Sequence, residues 1–291
     1  MSEYLKGKVA VVTGGGRGLG RATALEMARS GAKIVAADIY RDENGQAAAD
    51  EVVKEIADLG GAAAAADDDV RTVEGAQRIA QVALDNFGRI DILCTYAGNF
   101  SYTTIDKLTP EEFDSTISVH LNGTFNCIKA VLPAMMEQRH GRIVTVSSRA
   151  AFGGAASAYA AAKAGIMGLT VAVAGEMARA GTGITANCIL PSAFTQLFPT
   201  QALHPPLLKG MSQPEPETLD PADVAPLVAY LGSDLAAEVS GKFFFVGGGD
   251  VIAFADPFAV ANMNNFLRKP GRWTVPELAD LIQPIYQKPQ G

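Results

Sequence analysis

The chain has 291 residues, of which 48% are apolar and 19% charged, and its formal net charge is −7. A chain of this size and apolar content can bury a complete core, so we expect a soluble protein with one principal domain. The negative charge and the lack of a dense Lys or Arg stripe argue against nucleic acid and anionic membranes as partners. No run reaches the roughly 18 unbroken apolar residues of a membrane span, and the N-terminus lacks a secretion pattern, which predicts a cytoplasmic protein.

The cysteines and histidines do not form a metal-binding pattern. Cys94, Cys127 and Cys188 are widely spaced in apolar surroundings, which is typical of reduced, buried thiols in the cytoplasm. The three histidines show no ligand spacing with one another or with these cysteines. We therefore predict no catalytic metal.

Short apolar runs alternate with helical patterns along most of the chain. Val9 to Val12 leads through glycines into a helical pattern from Leu19 to Ser30, and Lys33 to Asp38 leads into a helix over Gln46 to Leu59. Further strand candidates are Ala62 to Ala66, Ile90 to Thr95, Arg142 to Val146, Ile184 to Ile189 and Phe243 to Val246. Buried strands joined by helical crossovers form a parallel sheet covered on both faces. The pattern predicts a doubly wound α/β (Rossmann) fold.

Two stretches depart from this alternation. Residues 192–218 are rich in proline and bulky apolar side chains and are predicted to form a mobile lid. Its large apolar residues are Phe194, Leu197, Phe198, Leu203 and Leu207. The tail contains Thr274-x-x-Glu277, a capping box that predicts a short helix. We expect a principal domain over residues 1–253 and a C-terminal extension over 254–291 that packs on that domain or on a partner subunit.

The glycine-rich segment Thr13–Gly20 stands between the first strand and the first helix. Glycines let a backbone approach a pyrophosphate closely, and the N-terminus of the following helix stabilises the anion. Because the motif occurs where a dinucleotide-binding turn occurs, we interpret it as a cofactor site rather than an ordinary turn. The predicted contacts are Gly14, Arg17, Gly18, Leu19 and Gly20.

Acidic residues end the second and third strands. Asp38 can accept hydrogen bonds from both hydroxyls of an adenosine ribose and would repel a 2′-phosphate. Arg17 and Arg41 could instead pair with such a phosphate, although charged loop residues are usually solvated. Asp69 and Val70 could contact adenine, or this acidic run could be a solvated loop. NAD is the predicted cofactor, with NADP left open.

Tyr159 and Lys163 are four residues apart in a helical pattern, so their side chains share one face. A tyrosine with a pKa of about 10 is a poor base at neutral pH, but a neighbouring ammonium stabilises the phenolate and lowers that pKa. Ser148 follows the strand Arg142 to Val146 and could meet this pair, with Ser147 as the second choice. Together they indicate general acid–base catalysis.

These motifs resemble the short-chain dehydrogenase/reductase family from residue 5 to about 250. The matching positions are Thr13-Gly14-x-x-x-Gly18-x-Gly20, Ala97-Gly98, Ser148, Tyr159-x-x-x-Lys163 and Asn187-x-Ile189-x-Pro191. The resemblance implies a dinucleotide-binding catalytic domain in which Ser148 binds the substrate oxygen, Tyr159 exchanges its proton, and Lys163 tunes Tyr159 and holds the nicotinamide ribose. The cofactor would carry the hydride. Further implied cofactor contacts are Ala97, Gly98, Tyr159, Lys163 and Thr195, and a homodimer or homotetramer is implied.

The chain also departs from the usual family pattern. Tyr96 replaces an asparagine, Ser192 replaces a glycine, and the spacing from Ser148 to Tyr159 is slightly short. His120 stands where many members have a catalytic asparagine. A histidine there resembles the (R)-3-hydroxyacyl-CoA dehydrogenase unit of peroxisomal multifunctional enzymes and its single-domain bacterial relatives. We take His120 as a candidate catalytic residue, the alternative being a buried histidine that only hydrogen-bonds to the backbone.

The apolar lid favours an acyl chain or a steroid ring over a sugar as substrate, unless the lid packs on the protein itself. We therefore expect oxidation of a secondary alcohol, such as a 3-hydroxyacyl-CoA or a hydroxysteroid, with NAD. Cations that could meet the phosphates of CoA are Arg149, Lys209, Arg268, Lys269 and Arg272. The alternatives are an NADPH-dependent ketoreductase, a catalytically silent cofactor sensor or scaffold, and an acyl-binding module without redox activity.

Overall fold

A computed structural model describes residues 3–100, 103–153, 156–195 and 219–254. Within these ranges eight strands form one sheet in the order β3-β2-β1-β4-β5-β6-β7-β8. The strands are β1 Val9–Thr13, β2 Lys33–Ala37, β3 Ala63–Ala66, β4 Ile92–Thr95, β5 Gly141–Val146, β6 Ile184–Pro191, β7 Phe243–Gly247 and β8 Asp250–Ala253. All pairings are parallel except that of β7 with β8. The predicted doubly wound sheet is thus confirmed.

The helices cover both faces of the sheet. They are α1 Gly18–Arg29, α2 Ala48–Asp58, α3 Val73–Phe87, α4 Pro110–Ile117, α5 Gly123–Gln138, α6 Ser157–Arg179 and α7 Ala225–Gly232. One apolar core lies between the sheet and α1, α2 and α7, and a second lies between the sheet and α3, α5 and α6. Both faces are buried, which explains why the central strands are continuous apolar runs.

The strand order places a crevice beside β1. The chain runs outward from β1 through β2 to β3, and then returns to place β4 on the other side of β1. Parallel strands that diverge in this way leave an opening at their carboxyl ends, where doubly wound proteins bind ligands. The glycine-rich turn after β1 lies at this opening.

Two local features were not predicted from the sequence. The edge strand β8 runs antiparallel to β7 after a tight turn, and its four residues carry too short a pattern to be recognised. Between α4 and α5, Ser118–Asn122 form a turn of π-helix. Such turns are frequent at functional sites, and this one places His120 inward with 2% of its surface exposed.

Helix α6 is apolar on more than one side. It is long and apolar enough to cross a membrane by length and composition alone, but half of its most apolar window is buried in the protein. Its inner face packs on β6 and carries Tyr159 and Lys163. We therefore regard α6 as a core helix with an apolar outer surface.

The predicted lid and tail lie almost wholly outside the described residues. Phe194, at the start of the lid, is described and exposed. The lid beyond residue 195, the capping box at Thr274 and the role of the extension stay predictions, as does the domain boundary at residue 253.

Candidate active site

A cavity of about 830 Å³ opens at the carboxyl ends of the central strands. Its lining contains every residue that the sequence proposed for the site, namely Gly14, Arg17, Gly18, Leu19, Gly20, Asp38, Asp69, Val70, Ala97, Gly98, His120, Ser148, Tyr159, Lys163 and Thr195. These residues are far apart in the chain, and the sheet brings them around one space. Their individual roles stay predictions.

The glycine-rich turn is shaped so that side chains do not fit in it. Gly14 has φ +65°, and a Cβ there would lie 2.7 Å from the main-chain nitrogen of Ala97. A Cβ on Gly20 would overlap the carbonyl oxygen of Gly14. Helix α1 begins at Gly18, and Arg17 provides no side-chain cap. The first N–H groups of α1 therefore suit an anion, and a pyrophosphate fits this cradle.

Asp38 is held rigidly at the end of β2. One carboxylate oxygen accepts a hydrogen bond from the main-chain N–H of Gly16 at 3.1 Å, and the other accepts from the N–H of Tyr40 at 3.0 Å. The two arginines nearby have partners within the protein. The Arg17 guanidinium lies 3.4 Å from the Tyr40 ring centroid, and Arg41 pairs with Asp67 at 2.6 Å.

The acidic run after β3 is paired with arginines, largely at the surface. Each of its carboxylates pairs with an arginine: Asp67 with Arg41, Asp68 with Arg78, and Asp69 with Arg71. The hydrogen bond from Arg71 lowers the pKa of Asp69, against the opposing effect of burial. The carbonyl oxygen of the buried Val70 accepts a hydrogen bond from Asn126 at 3.0 Å. This backbone is therefore fixed where it lines the cavity.

Tyr159 and Lys163 share the inner face of α6, with 7% and 5% of their surfaces exposed. The Lys163 ammonium donates a hydrogen bond to the carbonyl oxygen of Val146 at 2.7 Å and lies 5.4 Å from the Tyr159 ring centroid. Burial lowers the pKa of Lys163 to about 8, while the neighbouring Cys188 opposes this shift. Lys163 is thus mostly protonated at neutral pH, and its charge favours a phenolate on the adjacent ring.

The two serines after β5 have different surroundings. The buried Ser147 hydroxyl donates to the carbonyl oxygen of Lys163 at 2.8 Å, so its proton is engaged inside the protein. The Ser148 oxygen accepts from the N–H of Ala150 at 3.2 Å, which leaves its own hydrogen to be donated elsewhere. This favours Ser148 over Ser147. A 3-10 turn over Arg149–Phe152 accommodates the short spacing to Tyr159.

His120 packs against Tyr159 and is bonded to the backbone. Its Nε2 lies 2.7 Å from the carbonyl oxygen of Asn99, and because a carbonyl only accepts, Nε2 carries the proton. The weaker contact of the Asn99 N–H with the same atom is 3.2 Å. Burial, helped by the charge of Lys163, lowers the pKa of His120 to about 3. The imidazole is therefore neutral at neutral pH, and a catalytic role for His120 stays a prediction.

Two rings flank the Tyr159 side chain edge-on. The ring centroid of Phe100 is 4.9 Å away and that of His120 is 5.2 Å away. Edge-to-face contacts hold an aromatic ring in one orientation. His120 thus makes the backbone hydrogen bond of the second interpretation and also borders the candidate catalytic tyrosine.

Several lining residues were missed or misjudged from the sequence. Phe100, Tyr40 and Arg149 all line the cavity, and only Arg149 had been considered, as a cation for CoA. The unusual Tyr96 accepts a hydrogen bond on its hydroxyl from Thr23 at 2.8 Å, which ties the end of β4 to α1. The closeness of Phe100 to the Ala97-Gly98 motif was the one available signal for that ring.

Comparison with known proteins agrees with this architecture. The family model for short chain dehydrogenases matches residues 8–201. The chain is 36% identical over 263 residues to the (2S)-[(R)-hydroxy(phenyl)methyl]succinyl-CoA dehydrogenase subunit BbsD of Thauera aromatica, covering 84% of this chain and 97% of that one. It is 37% identical over 251 residues to the peroxisomal multifunctional enzyme type 2 of Mus musculus, covering 84% of this chain and 32% of that longer protein.

A solved structure has the same fold. The crystal structure of a short chain dehydrogenase from Mycobacterium avium superimposes with a TM-score of 0.81 at 34% identity, covering 96% of this chain and 94% of that one. The family profile, the sequence relatives and the shared architecture all point to the same family. The chain belongs to the short-chain dehydrogenase family, whose members are oxidoreductases that use a nicotinamide cofactor.

Proposed function

We propose that this enzyme oxidises a secondary alcohol to a ketone with NAD as the hydride acceptor. The observation that carries this proposal is that one cavity holds both a pyrophosphate cradle and the group of Ser148, Tyr159 and Lys163. A nucleotide on α1 and the end of β2 would extend along the cavity toward α6. The alcohol would then meet the tyrosine at the far end.

The proposed catalysis follows from what each side chain can donate or accept. Ser148 donates a hydrogen bond to the oxygen of the substrate, and Tyr159 accepts the proton that leaves this oxygen. Tyr159 must be a phenolate before it accepts this proton, and Lys163 stabilises that phenolate because its ammonium is held beside the ring by the carbonyl of Val146. His120 keeps the ring oriented. The bound nicotinamide supplies the hydride-accepting carbon.

NAD is proposed over NADP because of the charge at the end of β2. Asp38 lines the cavity, and its carboxylate would repel a 2′-phosphate while accepting hydrogen bonds from ribose hydroxyls. Arg41 is paired with Asp67 and Arg17 is stacked on Tyr40. Binding a 2′-phosphate would require at least one of these contacts to change.

A hydroxyacyl thioester is the substrate class that the name of one relative favours, and a hydroxysteroid is the second candidate. BbsD is named for a hydroxylated succinyl-CoA. The cavity wall near Tyr159 includes Phe100, Pro191 and Ala193, and such apolar surface accepts an acyl chain or a ring system.

The test is the change in absorbance at 340 nm as NAD or NADP is reduced by 3-hydroxyacyl-CoA thioesters, hydroxysteroids and simple secondary alcohols. We expect turnover with NAD and at least one hydroxyacyl thioester, and a lower kcat/KM with NADP. A faster reverse reaction with NADPH would favour the ketoreductase. Cofactor binding without turnover of any alcohol would favour the sensor or scaffold.

We also propose that the enzyme is a cytoplasmic homo-oligomer that associates through α5 and α6. Phe125 and Met136 on α5 are each 46% exposed. The outer face of α6 is small and apolar, with exposed Ala161, Ala164, Gly168 and Ala172. An extended apolar surface of this kind is typical of a protein–protein interface, and small residues let a second copy approach closely. The cytoplasmic location is supported by three buried, unbridged cysteines.

Gly168→Glu is expected to dissociate this oligomer. A Cβ at Gly168 would meet no atom within 4 Å, so a side chain there fits the subunit but would bury a charge between subunits. Light scattering after gel filtration should show a dimer or tetramer for the wild type and for Gly168→Ala, and a smaller species for Gly168→Glu. An unchanged mass for the Glu variant, or a monomeric wild type, would contradict the proposed interface.

A further inference from the structure

Asn126 joins helix α5 to the turn that follows β3. The residue is 7% exposed, and its side-chain nitrogen donates hydrogen bonds to the carbonyl oxygens of Val70 at 3.0 Å and of Arg71 at 3.2 Å. Both partners are carbonyls, which only accept, so the nitrogen rather than the oxygen of the side-chain amide must face them. One amide group on α5 therefore holds two consecutive peptide units of this turn.

The same turn is also held by packing and by its own hydrogen bonds. Gly123 lies about one helical turn before Asn126, and a Cβ there would come within 2.7 Å of Cγ2 of Val70, so α5 packs directly on this side chain. Within the turn, the Asp69 carboxylate accepts hydrogen bonds from the main-chain N–H of Arg71 at 2.9 Å and from its Nε at 2.8 Å. The position of Val70 is thus set by α5 as well as by the turn itself.

Val70 lies at the end of the cavity where the adenosine half of the cofactor is proposed to bind. Asp38 and Val70 follow the neighbouring strands β2 and β3, and both line the cavity. The main-chain N–H of Asp38 donates to the carbonyl oxygen of Ala66, the last residue of β3, at 3.0 Å. Ile39 and Val70 are the large apolar side chains that line the cavity after these two strands, and of the two only Val70 is buried. An apolar wall of this kind suits the face of a purine base.

We propose that Asn126 is a positioning residue for the adenine base of the cofactor, because it holds the backbone that places Val70 in the wall of the adenine site. Asn126 is not among the described residues that line the cavity, so it acts through Val70 and not by contact with the nucleotide. A wall that is fixed before the ligand arrives raises affinity, since less ordering is needed on binding. This inference rests on the proposed binding of NAD and concerns only its adenosine half.

The test compares the affinities of NAD, of AMP and of an NAD analogue in which hydrogen replaces the adenine base, all measured by calorimetry. Asn126→Ala should weaken NAD and AMP alike by about 3- to 10-fold, the effect of losing one net hydrogen bond. The affinity of the analogue without the base should be almost unchanged. Asn126→Leu, which keeps the volume of the side chain but cannot donate, should behave like Asn126→Ala.

Gln138→Ala is the matched control, because Gln138 holds a turn in the same manner at the other end of α5. Its Nε2 donates to the carbonyl oxygen of Ile90 at 2.7 Å, and its Oε1 accepts from the main-chain N–H of Ile90 at 3.0 Å. Ile90 precedes β4 and therefore lies at the amino ends of the strands, opposite the cavity. Both Gln138→Ala and Asn126→Ala should lower the Tm, but Gln138→Ala should bind all three ligands like the wild type.

Hydrogen exchange of the ligand-free protein gives a readout that does not depend on binding. The main-chain N–H groups of Arg71 and Thr72 are both bonded to Asp69 within the turn, and they exchange with solvent when the turn opens. In Asn126→Ala these two groups should exchange faster than in the wild type, whereas in Gln138→Ala they should not. Unchanged exchange of both groups in Asn126→Ala would overturn the proposal.

The binding results also separate this inference from the proposed function. If NAD binds and Asn126→Ala has the wild-type affinity for NAD and AMP, the inference fails while the dehydrogenase stands. If Asn126→Ala weakens NAD and the analogue without the base equally, Asn126 supports the cavity as a whole and the role specific to adenine is wrong. If the wild type binds no adenine nucleotide, the proposed function fails and the inference fails with it.

Discussion

Tyr159→Phe is expected to lower kcat by about 10²- to 10⁴-fold for every alcohol that the wild type oxidises, the range for loss of a general acid–base group. The substitution removes only the hydroxyl that would exchange a proton with the substrate. The ring would remain between Phe100 and His120, so folding should be unchanged and NAD affinity should change far less than kcat. Stopped assays for kcat and calorimetry for NAD affinity measure the two effects separately.

Tyr230→Phe is the matched control, because Tyr230 lies on α7, far along the chain from the catalytic group, and is 40% exposed. It should retain the wild-type rate. If Tyr159→Phe also retained that rate, another group would have to carry the proton, and the catalytic assignment would be wrong. If Tyr159→Phe lost NAD binding as well, the rate alone would not identify a chemical role.

Asp91→Ala is expected to destabilise the protein by about 3 kcal/mol, at the lower end of the effect of breaking a buried ion pair. Asp91 is 0% exposed at the amino end of β4. It accepts hydrogen bonds from the main-chain N–H of Val9 at 2.9 Å and from two guanidinium nitrogens of Arg89 at 2.6 and 2.7 Å. The loss of stability is expected at the lower end because Arg89 is partly exposed and can be rehydrated once the carboxylate is removed. The remaining cost arises because the Val9 N–H is left without an acceptor.

Urea unfolding of three variants tests this assignment. Asp91→Asn should cost less than Asp91→Ala, because the amide oxygen can still accept from Val9. Asp85→Asn, an exposed aspartate on α3 bonded to Gln81, should lie within about 0.5 kcal/mol of the wild type. Equal stability of Asp91→Ala and the wild type would show that the buried carboxylate contributes nothing.

The stability difference between the wild type and Asp91→Asn should change with pH in a defined direction. Burial alone would raise the pKa of Asp91, but His140, 3.3 Å away, Arg89 and the Val9 N–H together hold it well below its ordinary value. A carboxylate with a lowered folded pKa contributes stability above its unfolded pKa of about 3.9 and loses it as pH falls through the folded pKa. The stability difference between wild type and Asp91→Asn should therefore be constant near neutral pH and shrink below about pH 4.

The predictions for Asp91 and Tyr159 concern opposite ends of the parallel sheet. Asp91 precedes β4, whereas Tyr96, Ala97 and Gly98 follow it. At the amino end, buried charges join β4 to β1 and stabilise the sheet. At the carboxyl end, the backbone lines the cavity, and Gly98 cannot be replaced without a side chain meeting His120. Stability and function are thus separated along a strand of four residues.

Local patterns were sufficient to predict most of the fold. Seven of the eight strands are mainly apolar runs between turn signals. Such runs can be recognised from the local sequence alone. The short β8 carries too few residues to show a pattern, and it is a strand because β7 offers it an edge. Likewise the π-helical turn at His120 interrupts a pattern that is helical on both sides, so the spacing of residues did not reveal it.

The identities of the candidate site residues could also be predicted from the sequence, but their protonation states and hydrogen-bond partners could not. The spacing of Tyr159 and Lys163 requires one helical face, and the glycines after β1 require a close backbone approach. Whether His120 is charged depends on burial and on the nearby Lys163, and which serine can donate depends on the carbonyl that Ser147 meets.

The sequence by itself determined the strands of the sheet, the glycine-rich turn and the shared helical face of Tyr159 and Lys163, because each is specified by residues within one helical turn or one strand–turn–helix unit. Only the tertiary structure decided the protonation of His120, the choice of Ser148, the buried partners of Asp91 and the placement of Arg149. Those properties depend on desolvation and on contacts between residues distant in the chain. Neither is encoded in a local pattern.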